Sequence, residues 1–491
     1  MKYTRLDNAL HTFLLLIMIG SENMDELCQA RSELNRLEKE ERATFERLLR
    51  IRMEIKTYRT RIDTLVREGP SPIGRLPPEL LSCILKYSIT DDSSLPQSMQ
   101  SLAGVSRMWR DAILNTPSFW NSVRVVSKVE PAHLRTQLRR SCQLPLHVWI
   151  HKWGDPSSIF SDQFDLLLEA ITPTANRWVT LSITSNAPWA MDNAMDKFRC
   201  LKFTSLTKVD IVETSSREDF LYPDFLTPAY TPVLQDLTIE GPFSLTQRPR
   251  FNLKLLRLQN SILPVPISSG ALTSLFLAGS AEHWHLERNN IYFPLLETLS
   301  LQITHPHMFL AAIVAPKLRC FEYFADWMDY CGLDGFSDLR GKFSHVPRAR
   351  LNLEGHDGNH EYATLFCQAF PGVRHVDVHV DHTFFFEPTD DMMLPPPMDN
   401  WKTLEILDLS FANVRPIEIE CHNHVITWLT RRQELCQPPI RVRLIDIQVN
   451  KTDMEEFSRM CNVLKGCCTL ELVNVRYLRS HWHSLVRFPL H

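Results

Sequence analysis

The chain has 491 residues, 44% of them hydrophobic, which is enough for a large core and for two to four domains. Its formal net charge of −4 supplies no field that would draw it to nucleic acid or to an anionic membrane, so neither is expected as a partner. Twelve cysteines are scattered along the sequence, which excludes a short disulfide scaffold and points to free thiols in a reducing compartment.

In chain order, residues 1–23 come first, with an apolar run from Leu10 to Ile19 behind Lys2 and Arg5. The run is too short to span a bilayer, and no small-x-small cleavage site follows it, so a non-secretory segment is expected. Residues 24–68 carry heptads: Leu27, Leu34, Glu41, Leu48, Ile55 and Ile62 form one series, and Ala30, Leu37, Thr44, Ile51, Tyr58 and Leu65 the other. Charges of both signs lie between them, the pattern of a coiled-coil helix, with Glu41 and Thr44 breaking the seam in the middle. The function it predicts is self-association, which adds avidity. The alternative is a single amphipathic helix folded back on the module that follows. Glu68-Gly69-Pro70-Ser71-Pro72 ends the helix and marks a boundary.

Residues 73–123 read as a small all-α module with no residue set for chemistry. Pro77 and Pro78 suit a first helical turn, where a missing N–H costs nothing. Behind them Leu80, Leu81, Ile84 and Leu85 form an apolar stripe wider than a small core uses. A second helix is expected from about Ser98 to Leu114, with Leu102, Val105, Trp109 and Ile113 on one face and a stop at Asn115-Thr116-Pro117. So short a module buries little of itself, and part of its apolar face is expected to wait for a partner.

This segment resembles an F-box at Leu76, Pro77, Glu79, Leu80, Leu81, Ile84, Leu102, Val105, Ser106, Trp109, Arg110 and Trp120. It departs from the common form in a longer stretch between Ile84 and Leu102, which holds Asp91-Asp92-Ser93-Ser94. The resemblance implies docking on a Skp-type adaptor, and through it on a cullin ubiquitin ligase. The adaptor-binding residues it implies are Leu76, Pro77, Pro78, Leu80, Leu81, Ile84, Leu85, Leu102, Val105, Trp109 and Trp120. It further implies a cytoplasmic or nuclear substrate receptor that selects a target protein and supplies no catalytic residue, cofactor or metal.

From about 140 to 480, short runs of the form apolar-x-x-apolar-x-apolar recur. Trp178-x-x-Leu181-x-Ile183, Leu206-x-x-Val209-x-Ile211, Leu234-x-x-Leu237-x-Ile239 and Leu253-x-x-Leu256-x-Leu258 open the series. Leu272–Leu277, Leu296–Leu301, Leu318–Tyr323, Val373–Val378 and Leu404–Leu409 continue it, with a weaker copy at Leu351 and a last candidate at Leu470. They resemble irregular leucine-rich repeats. The fold class expected is therefore α/β: a coiled-coil helix, a small all-α F-box-like module, and a repeat solenoid of parallel strands with helices or loops returning outside.

Alternation along each strand would place Lys208, Asp210, Arg257, Phe276, Glu322, Arg350, His375, Asp377 and His379 on the outward face, as target-binding candidates. Their mixed signs suit protein recognition, and Phe276 reads as an exposed anchor. Two further readings stand beside the receptor. One is an interaction scaffold without adaptor binding. The other is an enzyme or metal site at His375, Asp377 and His379, although alternating Val376 and Val378 explain that run as an ordinary strand. His356, Asp357, His360, Cys421, His422, His424 and Cys436 lack the spacing of a zinc site.

Overall fold

No proline interrupts the sequence from Thr4 to Glu68, and the whole stretch forms one helix, α1 (Thr4–Glu68), of 65 residues. The computed structural model describes residues 4–68, 76–88, 95–153, 158–215, 219–244, 252–260, 270–280, 284, 286–324, 334–352, 360–379, 383–388, 395–410, 419–445, 448–450, 454–474 and 476–478. By its contacts the chain divides into two units, residues 1–115 and 116–491.

In the first unit, α2 (Pro78–Ser88) starts at the proline pair, and Leu81 N–H donates to the Pro77 carbonyl at 3.0 Å. Two helices follow, α3 (Leu95–Val105) and α4 (Arg107–Asn115), where the sequence predicted a single one. Ser106 causes the break: its Oγ accepts the Trp109 N–H at 3.2 Å and its carbonyl accepts the Arg110 N–H at 3.1 Å, which makes it the N-cap of α4. Both α2 and α3 pack on α4. Residues 89–94 of the long stretch after Ile84, with Asp91-Asp92-Ser93-Ser94 among them, lie outside the described residues, and the rest of it belongs to the end of α2 and the start of α3.

The first strand of the second unit is β1 (Ser122–Val125), ahead of position 140. There follow α5 (Pro131–Arg140), β2 (Leu146–Trp153), α6 (Ser158–Ile171), β3 (Trp178–Ser185) and α7 (Pro188–Phe198). Next are β4 (Lys208–Glu213), β5 (Asp236–Glu240), β6 (Leu255–Gln259), β7 (Ser274–Gly279), β8 (Ile291–Tyr292), β9 (Thr298–Ile303), α8 (Pro306–Ala312) and β10 (Ile313–Val314). Then come β11 (Cys320–Phe324), α9 (Asp334–Ser337), β12 (Arg348–Asn352), α10 (His360–Ala369), β13 (His375–His379) and β14 (Ile406–Ser410). The last are α11 (Ile419–Glu434), β15 (Arg441–Ile445), β16 (Gln448–Asn450), α12 (Met454–Cys467), β17 (Thr469–Val473) and β18 (Arg476–Leu478).

Fourteen of these strands form one sheet whose spatial order follows the chain, and each adjacent pair is parallel. Every apolar-x-x-apolar-x-apolar run named above supplies one strand of it. The two later apolar positions are inward neighbours in register, as in Val209↔Leu237 and Ile211↔Ile239. Their side chains join a single hydrophobic cluster that extends from Val123 to Leu464. Successive strands are linked by helices or loops that cross back before the next one, as parallel pairing requires.

Helix α8 ends on the Lys342 ammonium, which donates to the Leu310 carbonyl at 2.9 Å, the Ala311 carbonyl at 2.6 Å and Asn289 Oδ1 at 2.9 Å. Burial, aided by the Arg288 charge, lowers the Lys342 pKa to about 8. Replacing it by Met leaves two helix-terminal carbonyls without a donor, so Lys342→Met is expected to cost about 1–3 kcal/mol in denaturant unfolding. An unchanged midpoint would show that solvent replaces those bonds freely.

Candidate functional site

Helix α2 divides its apolar residues between two adjacent stripes. Leu81 and Leu85 point inward and are 1% and 0% exposed. Leu80, Ile84 and Tyr87 stand at i, i+4 and i+7 on the neighbouring stripe and are 52%, 42% and 80% exposed. Val105 at the end of α3 is 61% exposed, and Pro77 and Pro78 are exposed as well. Leu76, Leu102 and Trp109 are half-buried. The indole N–H of Trp109 is enclosed and finds no acceptor among the described residues. Tyr87 was missed by the sequence reading, although its spacing from Ile84 was the available signal.

Trp120 belongs elsewhere. It is buried in the second unit, with the Arg140 guanidinium 4.7 Å from its ring centroid. It leads the run Trp120-x-x-Val123-x-Val125, the same position that Trp178 and Leu206 hold in later strands. Leu81, Leu85 and Trp120 are thus part of the buried interior, while the stripe Leu80, Ile84 and Tyr87 of α2, and separately Val105 of α3, stand exposed among the described residues.

The outward face of the sheet gathers the other candidates. Asp210, Arg257, Phe276, Glu322, Arg350 and Asp377 lie in one register row across the strands, and Lys208 and His375 lie in the row two residues earlier. His379 lies two residues further along β13, and its side chain is outside the described residues. One row is not one spot. Asp210 on β4 and Arg350 on β12 are six strand steps apart, roughly 29 Å at the usual spacing. Phe276 is half-buried, because the Arg257 guanidinium covers its ring at 4.1 Å, so it is less open than an exposed anchor.

At the C-terminal end this row becomes an ionic band. Arg350 Nε lies 3.2 Å from Asp377 Oδ2, and Ser300 donates to Glu322. Asp408 is 1% exposed, and its Oδ2 accepts from both His375 Nε2 and Arg443 Nη2 at 2.8 Å. Asp408 Oδ1 and Arg443 Nε are enclosed without a partner among the described residues. Burial raises the Asp377 carboxyl above its ordinary value, against the opposing pull of Arg350; burial does the same to Asp210, against Lys208 and Arg257.

His375 and Asp377 are thus engaged by Asp408 and Arg350 rather than by each other. Among the described residues no group of three or more His, Cys, Asp or Glu is placed to hold a metal ion. His360 bonds the Glu387 carbonyl at 3.0 Å and His424 lies 3.2 Å from Glu387 Oε1. His356 and Asp357, and the side chains of Cys421 and His422, lie outside the described residues. Among the described residues, no helix is long and apolar enough to cross a membrane.

No curated protein matches the chain. A family model does, that of the F-box-like domain, over residues 73–125, which takes in the open stripe of α2, both helices after it, and β1. The chain therefore carries an F-box-like domain at residues 73–125.

Proposed function

We propose that the protein is a substrate receptor of a Skp-cullin-F-box type ubiquitin ligase. The observation that carries the reading is the open stripe Leu80, Ile84 and Tyr87 beside a buried stripe on the same short helix, within the matched F-box-like region. An adaptor that covers Leu80 and Ile84 removes from water the apolar area that α2 cannot bury in its own unit. Leu76, Pro77, Pro78, Leu102, Val105 and Trp109 frame that contact.

The fourteen-stranded sheet is read as an irregular leucine-rich-repeat solenoid, because its strands follow the chain in order and repeat one apolar pattern. Its outward face, and the ionic band from Glu322 to Arg443 above all, binds the target protein. The receptor then acts by proximity: it holds a target lysine near a ubiquitin-charged enzyme and adds no catalytic group. A cytoplasmic or nuclear setting follows from that role. Gel filtration of the full chain with a purified Skp-type adaptor tests the reading. Co-elution as one complex is expected, and separate elution at micromolar concentrations would refute it.

A further inference from the structure

Every residue from Glu26 to Leu65 of α1 is exposed, so among the described residues nothing covers the heptad seam. Helices in proteins draw most of their stability from packing an apolar stripe, and a stripe that repeats every 3.5 residues fits another helix. The two polar positions in the seam, Glu41 and Thr44, decide which helix that is and which way it runs.

We propose that α1 pairs antiparallel with α1 of a second copy, in the register that sets Glu41 of each helix across from Thr44 of the other. An antiparallel pair matches one heptad series with the other, so inversion exchanges Glu41 and Thr44. In this register Leu37 meets Leu48 and Leu34 meets Ile51, and the two polar breaks fall on each other. A shift of one heptad either way sets both Glu41 and Thr44 against leucine or isoleucine, which strands a carboxylate in apolar surroundings. An in-register parallel pair stacks Glu41 on Glu41, and two carboxylates that close cannot both stay ionised without cost. Across the antiparallel seam the Thr44 hydroxyl, which bonds the Glu40 carbonyl at 2.7 Å in the single helix, can turn to donate to the facing Glu41.

The flanking charges do not choose between orientations, because each pairs some opposite and some like charges. Arg36 already lies 2.6 Å from Glu33 and 3.3 Å from Glu40 on its own helix, which blunts their repulsion of neighbours. The seam therefore decides. The inference is independent of adaptor binding. Its consequence is geometric: the two Glu68 residues, from which the F-box-like modules continue, come to lie roughly 75 Å apart along the paired helices.

Cross-linking between two labelled populations tests it. Full-length Leu37→Cys chains are mixed with full-length Leu48→Cys chains, mildly oxidised, and the linked peptides are identified by mass spectrometry. Both positions are exposed on the single helix, so neither change threatens the fold. The expected result is that 37-to-48 links outnumber 37-to-37 and 48-to-48 links at least about tenfold. Sedimentation equilibrium of the unaltered chain should also give twice its 57.0 kDa mass. A predominance of 37-to-37 links, or the single-chain mass at about 10 μM, would overturn it.

Discussion

Aspartate at positions 80 and 84 together is expected to weaken capture of a Skp-type adaptor at least about 100-fold while the chain stays folded. Each of these side chains stands half out of water in the free chain and gains about 1–2 kcal/mol when covered. Losing both, and forcing two carboxylates into an apolar contact, exceeds the 2.8 kcal/mol that a hundredfold change represents. Stability should change by less than about 1 kcal/mol, because substitutions at exposed helix positions cost little beyond propensity. Leu81→Asp provides the contrast. It buries a charge beside α4 and should unfold the module itself. Calorimetric titration reads the affinity and circular dichroism reads the fold. Wild-type affinity in the folded double variant would remove α2 as the docking surface.

The second large effect is expected at Asp408. Asp408→Ala should destabilise the second unit by about 2–4 kcal/mol in urea unfolding, since it takes the shared acceptor from His375 and Arg443 at once. Arg443 would then be a half-buried cation beside unpaired groups. Replacing both partners together, Asp408→Leu with Arg443→Met, should restore at least half of the loss, because an apolar pair leaves no charge stranded. A loss under about 0.5 kcal/mol from Asp408→Ala would mean that water already screens the band. If the double replacement stays folded yet no longer binds a target that the wild type holds, the band acts in recognition as well as in folding.

Much of this was legible in the sequence, and the physical reasons differ by element. The nine strands that open on an apolar residue three places before the paired inward positions were readable, because that residue is itself buried, as Leu206, Leu234 and Leu272 are. Strand β15 was missed because Pro439 stands where that leading residue belongs. Strand β1 is hidden differently: Trp120 fills its leading position and also matches the distal tryptophan of the helical module. Ser106 split a helix that apolar spacing alone joined, since periodicity does not register a cap. On α2 the apolar positions Leu80, Leu81, Ile84 and Leu85 are visible in the sequence, but which stripe faces in depends on where α4 lies, and that is a tertiary fact. Likewise the alternation placed Asp377 and His375 on the outward face, whereas their partners Arg350 and Asp408 come from neighbouring strands whose register no single strand reveals.

Amide hydrogen exchange of the full chain, alone and with a purified Skp-type adaptor, is the most direct test of the central claim. Saturating adaptor should slow exchange in Pro78–Ser88 and at the end of α3 near Val105, by about tenfold or more, and leave the strands of the sheet unchanged. Adaptor that fails to bind, or that binds and leaves α2 exchanging at its free rate, would contradict the account.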